Sequence, residues 1–277
     1  MTPLKITLLV SALLYLTSSV AQNPQLTKIW ETNSTLKVPE SVLYHKQGNC
    51  LYVSNIDGKS GEKDLKGSIT KLSLDGKDTV NNWVTNLSAP KGMGILNNSL
   101  YVTDLDEVVE IDITTRKIIQ RISVPGSIFL NDLTIDNSGT IYVSDSRTGK
   151  VHTIKNKNVA TYIENKMGVN GLLAVDTDLY LAVKDTLFKS NKNKELSVIT
   201  TGMDESSDGI VQTKNKDFIV SCWNGIIYFV KSDGTKNVLL DTRAEKSNTA
   251  DIGFDAEKNI LYVPTFSKNK VVAYQLK

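Results

Sequence analysis

From Leu26 onward the chain carries almost no helix-period pattern. Short runs alternate apolar and polar residues and are bounded by Gly, Asn, Asp and Lys, the signature of strands joined by tight turns. One run recurs. "CLYVSN" (Cys50–Asn55) returns as "SLYVTD" (Ser99–Asp104), "TIYVSD" (Thr140–Asp145), "DLYLAV" (Asp178–Val183), "DFIVSC" (Asp217–Cys222) and "ILYVPT" (Ile260–Thr265). The aromatic markers Tyr52, Tyr101, Tyr142, Tyr180, Phe218 and Tyr262 stand 38 to 49 residues apart, by subtraction of their numbers. A fixed period of this length means a repeat architecture.

Each copy is followed by a turn and a second run, such as "GSITKLSLDG" or "NGIIYFVKSDG", and in all but the last copy by a third, such as "KIIQRISV". The sixth copy ends at Lys277 without that third run, and "LTKIWET" (Leu26–Thr32) is available to replace it. One four-stranded antiparallel unit cannot bury both its faces. Six arranged radially cover one another and leave only short edges. The pattern predicts an all-β chain, a six-bladed β-propeller closed by its N-terminal strand. An open sandwich or a pair of barrels would not need a six-fold register. The "DG" pairs at Asp57, Asp75 and Asp233 read as hairpin turns.

The first 21 residues do not belong to this pattern. Lys5 precedes an apolar run from Ile6 to Leu16, and Ser19-Val20-Ala21 fits a small-x-small cleavage site. This predicts a secretory signal peptide over 1–21, a propeller over 22–277, and an exported protein, periplasmic or secreted. The run is short for a bilayer span, so no membrane association is expected after cleavage. The two cysteines, Cys50 and Cys222, lie in different repeats, so the fold is expected to stand on its core rather than on a disulfide. With 40% hydrophobic and 22% charged residues and a net charge of +2, the chain has ordinary globular composition and no strong field for nucleic acid or anionic lipid. It is expected to act as a monomer on a small-molecule substrate.

In a propeller the first strand of each blade lines the central tunnel. Those strands begin at "PESVLY", "PKGMGIL", "LNDLTID", "VNGLLAV", "SDGIVQ" and "TADIGFD". Their lead residues are Glu40, Lys91, Asn131, Asn170, Asp208 and Ala250, with Asp251 one step later. An Asn-Asp pair such as Asn131-Asp132 suits a turn, and for one copy that is sufficient explanation. Four oxygen donors in one register, Glu40, Asn131, Asn170 and Asp208, make a converging hard-oxygen cage. Such a cage matches Ca²⁺, which accepts irregular oxygen shells. No imidazole or thiolate stands in the register, which disfavours zinc.

These motifs, "PES" at Glu40, "LND" at Asn131, "VNGL" at Asn170 and "SDG" at Asp208, resemble the gluconolactonase, luciferin-regenerating-enzyme and senescence-marker family of six-bladed propellers and its relative diisopropylfluorophosphatase. The resemblance covers essentially the whole mature chain. It implies metal roles for Glu40, Asn170 and Asp208, a metal or substrate role for Asn131, and a base or nucleophile at Asp208. Sugar-lactone members tend to carry Arg two residues before the Asn, and here that position is Phe129, so a more apolar substrate is expected. Lys91 would offer a cation to a carbonyl or phosphoryl oxygen, or else pair with a tunnel carboxylate.

The expected chemistry is therefore calcium-assisted hydrolysis of an ester, lactone or phosphoester, with Asp208 as catalytic residue and Lys91, Phe129 and Asn131 against the substrate. The alternative is a non-catalytic propeller that binds a ligand or protein partner, with structural calcium and the insert "NIDGKSGEKDLKG" (Asn55–Gly67) as a rim loop. His45 is expected in a turn and His152 in a third-blade strand, both away from the lead positions. No nucleophile elbow or dinucleotide fingerprint is present.

Overall fold

The computed structural model describes residues 23–277, so the expected signal segment lies outside the described residues. Strand β1 (Leu26–Glu31) precedes the first blade, which is β2 (Pro39–His45), β3 (Cys50–Asn55), β4 (Gly67–Ser73) and β5 (Thr79–Leu87). Blade 2 is β6 (Pro90–Leu96), β7 (Ser99–Asp104), β8 (Glu107–Asp112) and β9 (Lys117–Ser123). Blade 3 is β10 (Leu130–Ile135), β11 (Ile141–Asp145), β12 (Lys150–Lys155) and β13 (Asn158–Ile163). Blade 4 is β14 (Val169–Val175), β15 (Asp178–Val183), β16 (Thr186–Ser190) and β17 (Leu196–Thr200). Blade 5 is β18 (Ser207–Gln212), β19 (Phe218–Cys222), β20 (Ile226–Val230) and β21 (Lys236–Asp241). Blade 6 holds β22 (Gly253–Asp255), β23 (Ile260–Pro264) and β24 (Val271–Leu276).

Every blade is a four-stranded antiparallel sheet, and the sixth has the order β1-β24-β23-β22. The N-terminal strand thus supplies the outer strand that the last repeat lacks. The molecule is the six-bladed propeller that the repeat predicts. No helix among the described residues is long and apolar enough to cross a membrane.

The core lies between the blades. Tyr52, Ile69 and Trp83 of blade 1 pack on Met93, Leu100 and Val102 of blade 2. Across the closing seam, Val42, Leu51 and Val53 of blade 1 pack on Tyr262, Val271 and Ala273 of blade 6. Burying a side chain of this size contributes roughly 1.5–3 kcal/mol, so each repeat gains its stability from its neighbour. Cys50 and Cys222 are buried and free, in separate inter-blade clusters. His45 is the last residue of β2 rather than part of a turn, and it stacks on Tyr52 with ring centroids 5.8 Å apart.

Candidate functional site

The six first strands run side by side around the axis, and five of them share an irregularity at their start. The register of β2 on β3 jumps between Pro39 and Ser41. It jumps between Pro90 and Met93 in blade 2, Leu130 and Leu133 in blade 3, Val169 and Leu172 in blade 4, and Ser207 and Ile210 in blade 5. Each jump spans the lead residue. A bulge of this kind leaves a residue unpaired, bends the strand and re-aims its side chain.

The freed amides and carbonyls find partners in the recurring run itself. Ser54 Oγ accepts from the Ser41 amide at 3.0 Å, Ser144 Oγ from Asp132 at 2.9 Å and Ser221 Oγ from Gly209 at 2.9 Å. In blade 2 the Thr103 hydroxyl donates to the Asn131 carbonyl oxygen. The residue after this hydroxyl holds the loop that enters its own blade. Asp104 accepts from the amides of Ser88 and Ala89 at 2.8 and 2.7 Å, and Asp145 from those of Ile128 and Phe129 at 2.8 and 3.2 Å.

Glycine follows the lead residue in blades 2, 4 and 5 because the next blade arrives there. A Cβ at Gly171 would collide with the Asp208 carbonyl oxygen. Where the following residue is acidic instead, it ties blades together. The Asp132 carboxylate accepts from the Leu172 amide of blade 4 at 2.7 Å, and Asp251 accepts from the Ser41 hydroxyl across the closing seam.

The lead side chains meet at one end of the tunnel. Glu40, Lys91, Phe129, Asn131, Asn170 and Asp208 all line a single cavity of ≈ 220 Å³. Ala250 offers no polar group, and the sixth blade's acid, Asp251, lies instead in a second cavity of ≈ 200 Å³ with Ser41 and Asp132. Of the remaining walls of the first cavity, Ile56 and Ser60 belong to the insert Asn55–Gly67 expected as a rim loop, whereas nothing in the sequence reading singled out Trp223 and Phe266. Their signal was positional, since Trp223 and Phe266, like Ile56, each directly follow a copy of the recurring six-residue run.

The electrostatics of the upper cavity are those of buried charge. Burial pushes the carboxyls of Glu40 and Asp208 well above the usual carboxylate range. Lys91 counters the effect on Glu40, and the Glu40 charge adds to it on Asp208. Burial also holds the Lys91 ammonium below its ordinary value, against the pull of Glu40. Lys91 Nζ donates to the Ala89 carbonyl oxygen at 2.9 Å and sits 4.4 Å over the Phe129 ring. Beneath, burial raises Asp132 well above its usual range and Asp251 to about 7.

Two oxygens in the upper cavity are buried with no partner, Glu40 Oε2 and Asn170 Oδ1. No group of three or more His, Cys, Asp or Glu side chains is arranged to hold a metal among the described residues. The lead set differs in kind, mixing two carboxylates with two amides. An orphaned carboxylate oxygen and an orphaned amide oxygen, with Asp208 and Asn131 beside them, fit a hard cation.

A scan against protein-family models finds no match, and a search of curated proteins finds none either. Solved structures do match in fold. A gluconolactonase from Xanthomonas campestris superposes with a TM-score of 0.70 at 15% identity, covering 87% of each chain. A putative gluconolactonase gives 0.69 at 13% identity over 92% of this chain and 93% of that one. An inactive histidine-to-alanine variant of virginiamycin B lyase from Staphylococcus aureus, with quinupristin, gives 0.64 at 13% identity over 92% and 99%.

Proposed function

We propose that the protein is a calcium-dependent hydrolase of lactones or esters, working in the upper cavity. One observation carries the reading. Glu40 Oε2 and Asn170 Oδ1 are buried without hydrogen-bond partners, on residues that share one cavity with Asp208 and Asn131. Leaving a buried acceptor unpaired costs about 1–3 kcal/mol, and more for a charged one, so such a pair is retained where a ligand completes it. The likeness to propellers named as gluconolactonases supports the reading, although a shared fold does not fix an activity.

In this reading Glu40, Asn131, Asn170 and Asp208 hold the ion. Bound calcium supplies a Lewis acid for the substrate oxygen and compensating charge for the two carboxylates. Asp208, as a carboxylate, would take the proton of a water that attacks the acyl carbon, or attack that carbon itself to give an acyl-enzyme that water then hydrolyses; in either route the acyl C–O bond breaks and the leaving oxygen takes up the proton. Lys91 brings a second cation to the same cavity and binds a substrate oxygen. The lyase neighbour suggests elimination by a histidine instead. That reading is weaker here, because neither His45 nor His152 lines the cavity.

The test is a panel of lactones, aryl esters and phosphotriesters, assayed with calcium and after chelation. Turnover is expected with calcium, and chelation should abolish it. Asp208→Asn should lower kcat by roughly 10²–10⁴-fold and leave the far-ultraviolet circular dichroism unchanged. If the wild-type protein with calcium hydrolyses nothing on the panel, the reading fails and a binding propeller remains.

A further inference from the structure

The mouth of the tunnel is not chemically uniform around its circumference. The residue that follows the recurring six-residue run is Ile56 in blade 1, Leu105 in blade 2, Ser146 in blade 3, Lys184 in blade 4, Trp223 in blade 5 and Phe266 in blade 6. Blades 5, 6, 1 and 2 are consecutive around the ring, because β1 closes blade 6 beside blade 1. The apolar residues therefore form an unbroken crescent, and the polar ones fall together on the opposite side.

Three members of the crescent, Ile56, Trp223 and Phe266, line the cavity that holds the lead carboxylates. The rings of Trp223 and Phe266 pair edge to face, with centroids 5.3 Å apart and planes at 76°. Phe266 is held at φ 45°, a backbone region where a bulky residue is a genuine outlier. Strain of this kind costs about 1–3 kcal/mol and concentrates at ligand clamps. Trp223 remains 39% exposed, so one large aromatic face borders the cavity without being consumed by the core. The insert between β3 and β4 adds Ser60 to the wall and is anchored on blade 2 by a Lys63–Asp106 ion pair of 3.1 Å.

We infer that the crescent is a seat for one aromatic ring or short acyl chain, so that the substrate class is an aryl or acyl ester or lactone and not a polyhydroxylated sugar lactone. The inference deepens the hydrolase reading and rests on it for the word substrate. The seat itself stands on the walls alone. With its carbonyl at the lead residues, a sugar lactone would turn the hydroxyls on its far side toward Ile56, Trp223 and Phe266, where one indole N–H and the Ser60 hydroxyl are the polar groups of that wall. The cavity of ≈ 220 Å³ is below the roughly 300–1,000 Å³ typical of drug-sized ligands, which suits a single ring.

Two measurements separate this inference from the hydrolase reading. The first is calorimetric titration of the calcium-loaded protein with phenylphosphonate and with methylphosphonate, which share a head group and differ by the ring. Phenylphosphonate should bind about tenfold more tightly, and Trp223→Ala should erase that difference. Equal affinities, or no binding by either, overturn the inference whatever the enzyme hydrolyses. The second is kinetic. With phenyl acetate, Trp223→Ala should raise KM about tenfold with a smaller change in kcat. A higher kcat/KM for glucono-1,5-lactone than for phenyl acetate in the wild-type protein overturns the inference and leaves the hydrolase reading standing. Exposure of Trp223 makes its truncation a mild perturbation of the fold, and the urea midpoint of the variant checks this.

Discussion

The Asp251 amide of the last blade donates to the Glu40 carbonyl oxygen of the first at 3.0 Å. The Val42 amide returns a bond to the Asp251 carbonyl oxygen at 3.1 Å, and the Ser41 hydroxyl reaches the Asp251 carboxylate. The seam that closes the ring is thus bonded at the residue proposed to hold calcium. Ring closure and site geometry are one arrangement at this point.

Ser41→Ala removes the hydroxyl and leaves a half-buried carboxyl short of a donor. A loss of about 1–3 kcal/mol is expected, read as a lower urea midpoint with an unchanged m-value. Calcium affinity should fall as well, since Glu40 is the adjoining residue. An unchanged midpoint would show that the seam bond carries no stability.

The buried carboxyls give the calcium-free protein a distinctive pH profile. Asp251 is raised from 3.8 to about 7, chiefly by burial, and Glu40, Asp132 and Asp208 are shifted in the same direction. A raised acid binds its proton more tightly folded than unfolded. Between pH 3.8 and about 7 the folded state therefore holds protons that the unfolded state has lost, and stability falls as pH rises through that window. Calcium should reverse the trend, because binding at the lead residues favours the carboxylates. Thermal unfolding from pH 4 to 8, with calcium and with chelator, checks both signs. Calorimetry in two buffers of different ionisation enthalpy should register proton release on binding. A calcium-free Tm that climbs from pH 4 to 7 would contradict the account.

Asp145 gathers the amides of Ile128, Phe129, Arg147 and Thr148. Asp145→Ala would free the loop that carries Phe129 toward the cavity. A destabilisation of about 1–3 kcal/mol is expected, together with a raised KM for any substrate that touches Phe129. Asp145→Asn should recover part of both, since one amide oxygen can still accept. If the alanine variant has wild-type stability and KM, the loop is held by something else.

Phe129 lies under two cations, Lys91 Nζ at 4.4 Å and the Arg147 guanidinium at 4.5 Å. Phe129→Arg would replace an apolar wall by a third positive group. The expected result is tighter binding of phenylphosphonate and methylphosphonate alike, by about tenfold, because the new cation meets the anionic head group they share while the ring lies on the crescent. A change confined to phenylphosphonate would place the ring against Phe129 instead.

Much of this architecture is legible in the chain because the repeat is written in side chains that alternate, with an aromatic marker in each copy. The lead residues follow from counting back one strand, and all of Glu40, Lys91, Asn131, Asn170 and Asp208 converge as that count suggests. The sequence does not reveal what holds them. Ser54, Thr103, Ser144 and Ser221 read as ordinary strand residues until the bulge opposite each is known, and a bulge is a property of pairing rather than composition. Trp223 and Phe266 were similarly hidden, because a loop residue's direction depends on a backbone conformation such as the φ of 45° at Phe266. Asp132 looked like half of a turn pair, whereas its carboxylate bonds the neighbouring blade.

The outer strand of blade 6 is β1, and its antiparallel partner is β24, with Leu26 opposite Leu276. These partners are 250 positions apart (276 − 26). At ribosomal rates of about 5–20 residues per second, the earlier one waits roughly 12–50 s for the later. Until then the ring is an open arc with an unmatched edge at each end. Such edges recruit other chains, so the nascent protein has its greatest tendency to aggregate just before its final strand emerges.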